Sequence, residues 1–212
     1  MAATAADYAW FEGRFPDLAE AYCLTLVGGL SPPQVLARLG ARTNGPHVTG
    51  VDRLPVLDLG TDDEQLIGVT AVEHVPPSPV LDPAGEPRTW ALAVEPGGRL
   101  GVTDDAIVTL SAGTRLVSHA RGTDGRGLLC WLEDGEIRAT AARRAGSPAQ
   151  VEGDDADTLL EILRSAGAGV EGDSGELPVA AAFALAEHLT GVRLTAELLT
   201  ESSYLCGLAP YP

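Results

Sequence analysis

The chain has 212 residues, long enough to bury a substantial core in one domain or two small ones. Its formal net charge of -16 argues against nucleic acid and anionic membranes as partners and favours solubility and cationic partners. Hydrophobic residues make up 45% of the chain, which excludes wholesale disorder, and every basic side chain is arginine.

In chain order, residues 7–15 place Tyr8, Trp10, Phe11 and Phe15 at roughly helical spacing, with Asp7 as an N-cap and Pro16 as a stop or a change of direction. Residues 21–27 fit a strand or a helix end, broken by Gly28-Gly29. Ser31-Pro32-Pro33-Gln34 predicts a helix start, with a serine cap, proline at the first helical position and Gln34 placed for a capping box. Val35, Leu36 and Leu39 give that helix an apolar face, and Gly40 ends it. A loop is expected over 41–50, extended chain over 51–59 and a strand over 66–75. The prolines from Pro76 to Pro87 mark a long irregular connection, either a subdomain boundary or a stiffened loop within one domain.

Residues 90–94 predict a strand followed by the turn Glu95-Pro96-Gly97-Gly98, and residues 114–119 predict another. Residues 128–132 and 136–140 flank Asp134-Gly135, a strong hairpin signal. A loop is expected over 145–153. A helix follows over 154–166, acidic at its start and apolar at Leu159, Leu160, Ile162 and Leu163. After a flexible acidic stretch over 169–175, an alanine-rich helix is expected over 178–189, and Thr195 caps a short one over 196–200. The tail over 202–212, with Tyr204, Leu205, Leu208 and Tyr211, either packs down or offers an apolar peptide to a partner. The pattern is α+β: a central antiparallel β-sheet over 50–142 with flanking N- and C-terminal helices, read as a single domain over 1–212.

No nucleophile elbow, phosphate loop or metal spacing stands out, so no catalytic residue, metal or cofactor is assigned. Cys23 and Cys130 sit in apolar runs and read as buried, and Cys206 reads as a free exposed thiol. Three scattered cysteines and the absence of a signal-peptide pattern or a long apolar run fit a soluble, cytoplasmic protein. The histidines His47, His74, His119 and His188 are dispersed; His188 is expected to face outward near a helix end, and His119 is a candidate pH sensor beside Arg121 and Asp124. Ser118 and His119 are strand neighbours that point to opposite faces, which excludes a dyad. Residues 31–40 and 182–199 have the rhythm of a helix-turn-helix, but neither is followed by a basic recognition helix.

Arg115, Arg121, Arg126, Arg138, Arg143 and Arg144 make the 115–144 segment slightly basic, a cationic island if it folds as one surface. Trp90 and Trp131 read as core, with an interface anchor as the alternative. The candidate binding residues are Glu95, Arg115, His119, Arg121, Arg126, Trp131 and Arg138.

Several ordered stretches carry a resemblance: residues 22–33 with the helix to Gly40, 90–101, 110–115, 131–137 and 189–195. Together they resemble an uncharacterised actinobacterial family of domains of unknown function, common in Streptomyces-type genomes. The resemblance implies an α+β module with a central antiparallel sheet and flanking helices, and no established activity. Relatives tend to carry an aromatic- and Asn-containing strand where residues 118–127 here read as a charged, flexible loop.

The expected function is non-enzymatic binding of another protein through the acidic surface, with a cationic partner and an immunity-like or regulatory role as specific forms. Two alternatives stand beside it. One is a small-molecule binder or enzyme whose pocket, between the sheet and the C-terminal helix, gathers Glu95, Arg115 and His119. The other is a homodimeric scaffold that pairs exposed strand edges.

Overall fold

The computed structural model describes residues 2–43, 47–54, 64–143, 150–167 and 179–211. Its frame is one nine-stranded sheet in which every pair of neighbours is antiparallel. The strands are β1 (Tyr22–Gly28), β2 (His47–Thr49), β3 (Glu64–Val75), β4 (Arg88–Pro96), β5 (Arg115–Arg121), β6 (Gly127–Glu133), β7 (Glu136–Arg143), β8 (Gln150–Glu152) and β9 (Ser203–Pro210). They lie in the order β2-β9-β3-β4-β1-β5-β6-β7-β8. The sheet thus extends well beyond the expected 50–142 limits: β1 and β2 come from before them, and β8 and β9 from after.

The described helices are α1 (Trp10–Arg14), α2 (Pro16–Glu20), α3 (Pro32–Arg38), α4 (Asp104–Ser111), α5 (Ala156–Ser165), α6 (Val179–Thr190) and α7 (Ala196–Glu201). The α+β class and the terminal helices agree with the sequence reading. The Ser31 cap forms as expected: its backbone N–H donates to Gln34 Oε1 at 2.8 Å. Thr195 Oγ1 accepts from the Leu198 N–H at 3.1 Å and starts α7. Asp134 and Gly135 both adopt positive φ, 51° and 79°, which closes the β6–β7 hairpin with the twist its strands require.

Several local expectations change. Asp7 is not an N-cap: Thr4 caps a 3-10 turn over Ala5–Tyr8, and Asp7 answers it from the third position. Pro16 opens α2 rather than only ending a helix, because its missing N–H falls at a position with no helical acceptor. Residues 51–53 form a 3-10 turn, and the rest of the stretch expected to be extended lies outside the described residues. Residues 47–49 and 150–152, expected as loop, are short strands. The tail packs down as β9 between β2 and β3. The irregular stretch from Pro76 to Pro87 joins β3 to its neighbour β4. The acidic stretch 169–175 and Pro178 lie outside the described residues.

Both faces of the sheet are covered, which explains why β1 is buried along its whole length. On one face Tyr22, Leu24, Leu92, Val117, Leu129 and Trp131 pack against residues of the N-terminal helices, α5 and α6. On the other, Val27, Ile67, Val69, Leu116 and Leu132 meet Val35 and Leu36 of α3 and Ile107 and Leu110 of α4. At the heart of the first layer Phe183 lies 4.5 Å, centroid to centroid, from Phe11 and 5.5 Å from Tyr8. His188 is buried, not outward-facing: its Nε2 is 2.9 Å from the Ala3 carbonyl oxygen and ties the N-terminus to α6.

Candidate functional site

The fold disperses the residues singled out from the sequence. Arg115 and Arg121 stand at opposite ends of β5. Arg115 Nε contacts Glu133 at 2.6 Å, and Arg121 Nη1 contacts Glu12 of α1 at 2.8 Å. Arg126 pairs with Asp124 at 3.0 Å in the β5–β6 loop, and Arg138 pairs with Asp155 before α5 at 2.5 Å. These four arginines are therefore matched by carboxylates at separate points and do not make one cationic island. The side chain of Arg143 and all of Arg144 lie outside the described residues. Residues 118–121 belong to β5, so the charged loop is confined to the residues between β5 and β6.

Glu95, Arg115 and His119 do not converge. His119 faces the α6 layer, where its ring meets Phe183 at 4.7 Å and Tyr22 at 5.4 Å, both edge-on. Its two ring nitrogens, like Trp131 Nε1, are buried without a hydrogen-bond partner among the described residues. Burial pushes the His119 pKa down to about 3, so the ring stays neutral at physiological pH and does not act as the expected sensor. Trp90 and Trp131 are both core residues, at 4% and 3% exposure. Cys206 is fully buried rather than an exposed thiol, as β9 lies inside the sheet.

Glu95 sits on the opposite face of the sheet and is 1% exposed. Its carboxylate accepts the backbone N–H of Leu100 at 2.8 Å and of Gly101 at 2.9 Å, clamping the turn that leads into α4. Cys23, Thr25 and Ser118 complete this polar niche, with Thr25 Oγ1 and Ser118 Oγ 2.9 Å apart. A β-carbon at position 101 would lie 1.9 Å from Thr25 Oγ1, so only glycine allows the turn to close so tightly over the strands. Desolvation drives the Glu95 pKa up to about 7, against the two backbone hydrogen bonds and Cys23, which lower it. The niche is packed and serves the fold. Among the described residues no group of three or more His, Cys, Asp and Glu is placed to hold a metal ion.

The surface with the most distinctive combination of properties lies where α4 meets β7. Sequence reading missed α4, although Thr103 before Asp104-Asp105 is a usable start signal and Ile107 and Leu110 have helical spacing. Ile107 and Leu110 are buried against the sheet, whereas Val108 is 42% exposed. Asp104 and Asp105 precede Val108 by one turn and flank it on the same side of the helix. A β-carbon on Gly135 would lie 3.8 Å from the Val108 carbonyl oxygen and 3.9 Å from its Cγ1, so α4 rests against the β6–β7 turn. Ile137 follows two residues later, pairs with Leu132 and is 42% exposed.

The register between β6 and β7 shifts between Trp131 and Leu132, so that, although Ala139 lies on the other face, Ile137, opposite Leu132 of the α4-side core, lies on the α4 face. Thr140 and Ala142 are opposite Cys130 and Leu128 on that face and are half-buried; exposed Glu152 of β8 is opposite Thr140. The sheet thus extends past its α3–α4 cover. The reverse face of β7 is closed, with Ala139 and Ala141 buried in the same core as Leu159 and Ile162 of α5.

A family model described as "Family of unknown function (DUF6461)" matches residues 1–212, and the chain belongs to that family. No curated protein and no solved structure matches the chain.

Proposed function

We propose that this DUF6461 protein is a non-enzymatic binding module that docks a cationic protein on the outer face of β7–β8 and α4. The observation that carries the reading is the exposed Val108 and Ile137, with Asp104 and Asp105 on α4 and Glu152 farther along the same face, on a stretch of sheet that no described helix of the α3–α4 layer covers. Exposed apolar groups supply contact area, and flanking carboxylates steer and select a basic partner. Masking such a partner is how an immunity-like or regulatory protein would use the surface. The net charge of -16 acts in the same direction at longer range.

Homodimerisation through sheet edges has weaker support, because both edge strands are only three residues long. Edges so short offer little ladder for a second chain. Three free, buried cysteines support a reducing cytoplasmic setting, and the lysine-free composition, rich in alanine, glycine and proline, supports an actinobacterial host of high GC content. No helix among the described residues is long and apolar enough to cross a membrane.

The test is retention of a partner from an actinobacterial lysate by tagged wild-type chain and by a Val108→Ser/Ile137→Thr double variant. The expected result is a stoichiometric basic protein held at low salt, released as salt rises, and held at least about tenfold more weakly by the variant. Equal retention by both chains, or a complex indifferent to salt, contradicts the reading.

A further inference from the structure

On the opposite layer of the sheet, remote from Glu95, a cleft of about 370 Å³ opens at the ends of four adjacent strands, β4, β1, β5 and β6. A glycine lies at its floor. Gly28 at the end of β1 pairs with Trp90 of β4. On the other side, Val27 pairs with Leu116, which brings Gly28 beside Arg115. Arg115 in turn pairs with Glu133 of β6. The row therefore reads Trp90, glycine, Arg115, Glu133, and the edge of Trp90 and the Thr114 hydroxyl close in over the glycine, where the neighbouring strands carry large side chains. A β-carbon at Gly28 would lie 3.1 Å from Thr114 Oγ1 and 3.5 Å from Trp90 Cη2, at the floor of the cleft.

The charges are ordered across the cleft. Arg88 of β4 lines one side and Arg115 the other. Arg115 is pre-set: its side chain is only 21% exposed, Nε is held by Glu133, and Nη1 donates to the Leu189 carbonyl oxygen at the end of α6 at 3.3 Å. Its Nη2 makes no hydrogen bond to the described residues. Arg88 is 64% exposed and touches Asp82 at 3.2 Å, so it can reorient at little cost. The carboxylates of the cleft lie beyond Arg115 and are engaged, Glu133 by Arg115 and Asp134 by the Gly113 N–H at 2.7 Å. A smaller cavity lined by Ser78, Asp82, Arg88, Trp90, Arg115 and Thr190 adjoins the same two arginines.

We infer that this cleft is a binding site for a small organic anion, its carboxylate or phosphate held between Arg88 and Arg115 above Gly28 and its apolar part against the edge of Trp90. A guanidinium already fixed by two partners loses little freedom on binding, and a second, mobile guanidinium closes on the same oxyanion. The volume falls within the range of small-molecule sites. This site borders the α4–β7 face at Asp134 but rests on different residues, Arg88, Arg115 and Trp90, and is tested separately.

The test is isothermal titration of the full chain with inorganic phosphate, phenyl phosphate, phenylacetate and uncharged 2-phenylethanol. At least one aryl anion is expected to bind, and 2-phenylethanol is not. The phosphate and carboxylate probes distinguish the two oxyanions, and either one binding supports the site. Arg88→Met and Gly28→Val should each weaken binding by at least about tenfold, the first by removing a charge and the second by displacing Thr114 and the Trp90 edge at the cleft floor. Arg88→Met removes only a surface ion pair and should leave the unfolding midpoint unchanged. No binding of any anion at millimolar concentration, equal binding of the uncharged probe, or affinity unchanged in Arg88→Met overturns the inference.

Discussion

Phe183→Ala is expected to lower the free energy of unfolding by about 3–5 kcal/mol, measured by urea denaturation at neutral pH. Phe183 is 1% exposed and projects from α6 into the centre of the sheet–helix layer. Its ring stacks on Tyr8 at an interplanar angle of 18° and meets Phe11 and His119 at centroid distances of 4.5 Å and 4.7 Å. Truncation removes these contacts together and leaves a cavity that the stiff sheet on one side cannot close. Tyr8 also donates its hydroxyl hydrogen to Glu187 on the same helix, so the N-terminal segment and α6 loosen as a unit. Phe183→Leu keeps most of the volume and should cost roughly 1–2 kcal/mol. An alanine variant within about 1 kcal/mol of wild type would contradict the packing of α6 on the sheet.

The second large effect is a dependence of stability on pH that arises at Glu95. Its carboxyl titrates near 4.5 in an exposed chain and at about 7 in the folded protein, because burial disfavours the charged form. Between those values the native state holds a proton that the unfolded state has released. The contribution is therefore fully present below the unfolded value and lost as pH rises through the folded one, a change of about 3 kcal/mol. Urea unfolding at about pH 5 and about pH 8 should show the protein less stable at the higher pH, and Glu95→Gln should remove most of that difference. The glutamine variant should also be less stable at the lower pH, since its amide cannot accept from both the Leu100 and Gly101 N–H groups. An unchanged pH slope in Glu95→Gln would place its origin elsewhere.

The parts of the fold legible in the sequence are those fixed by local chemistry. Asp134-Gly135 can close a hairpin because both residues tolerate positive φ. The Ser31–Gln34 box and the Thr195 cap name their helices because the capping atoms lie within three residues of the groups they satisfy. β9 was not legible in the same way. The stretch Tyr204–Leu208 is apolar, but its place between β2 and β3 depends on pairing with residues more than a hundred positions away. β8 is three residues long and carries no periodicity of its own.

The candidate site was harder to read for a related reason. Arg115 through Arg138 are close in sequence, yet a strand moves the chain about 3.3 Å per residue, so the two ends of β5 lie far apart. Glu95 and Arg115 face opposite layers because of the registers of β4 and β5 against β1, which no single strand reveals. The exposure of Ile137 has a similar origin. Its alternation with Ala139 and Ala141 is that of a core strand, and the register shift between β6 and β7 turns it onto the other face, where α4 leaves it exposed.

The most direct test of the docking face is hydrogen exchange of the chain alone and saturated with the purified partner. Slowed exchange is expected in α4 and along β7–β8, with the α6 layer unchanged, and that protection is expected to be lost in Val108→Ser/Ile137→Thr. Protection confined to the α6 layer or the N-terminal helices, with α4 and β7–β8 unaffected, would contradict it.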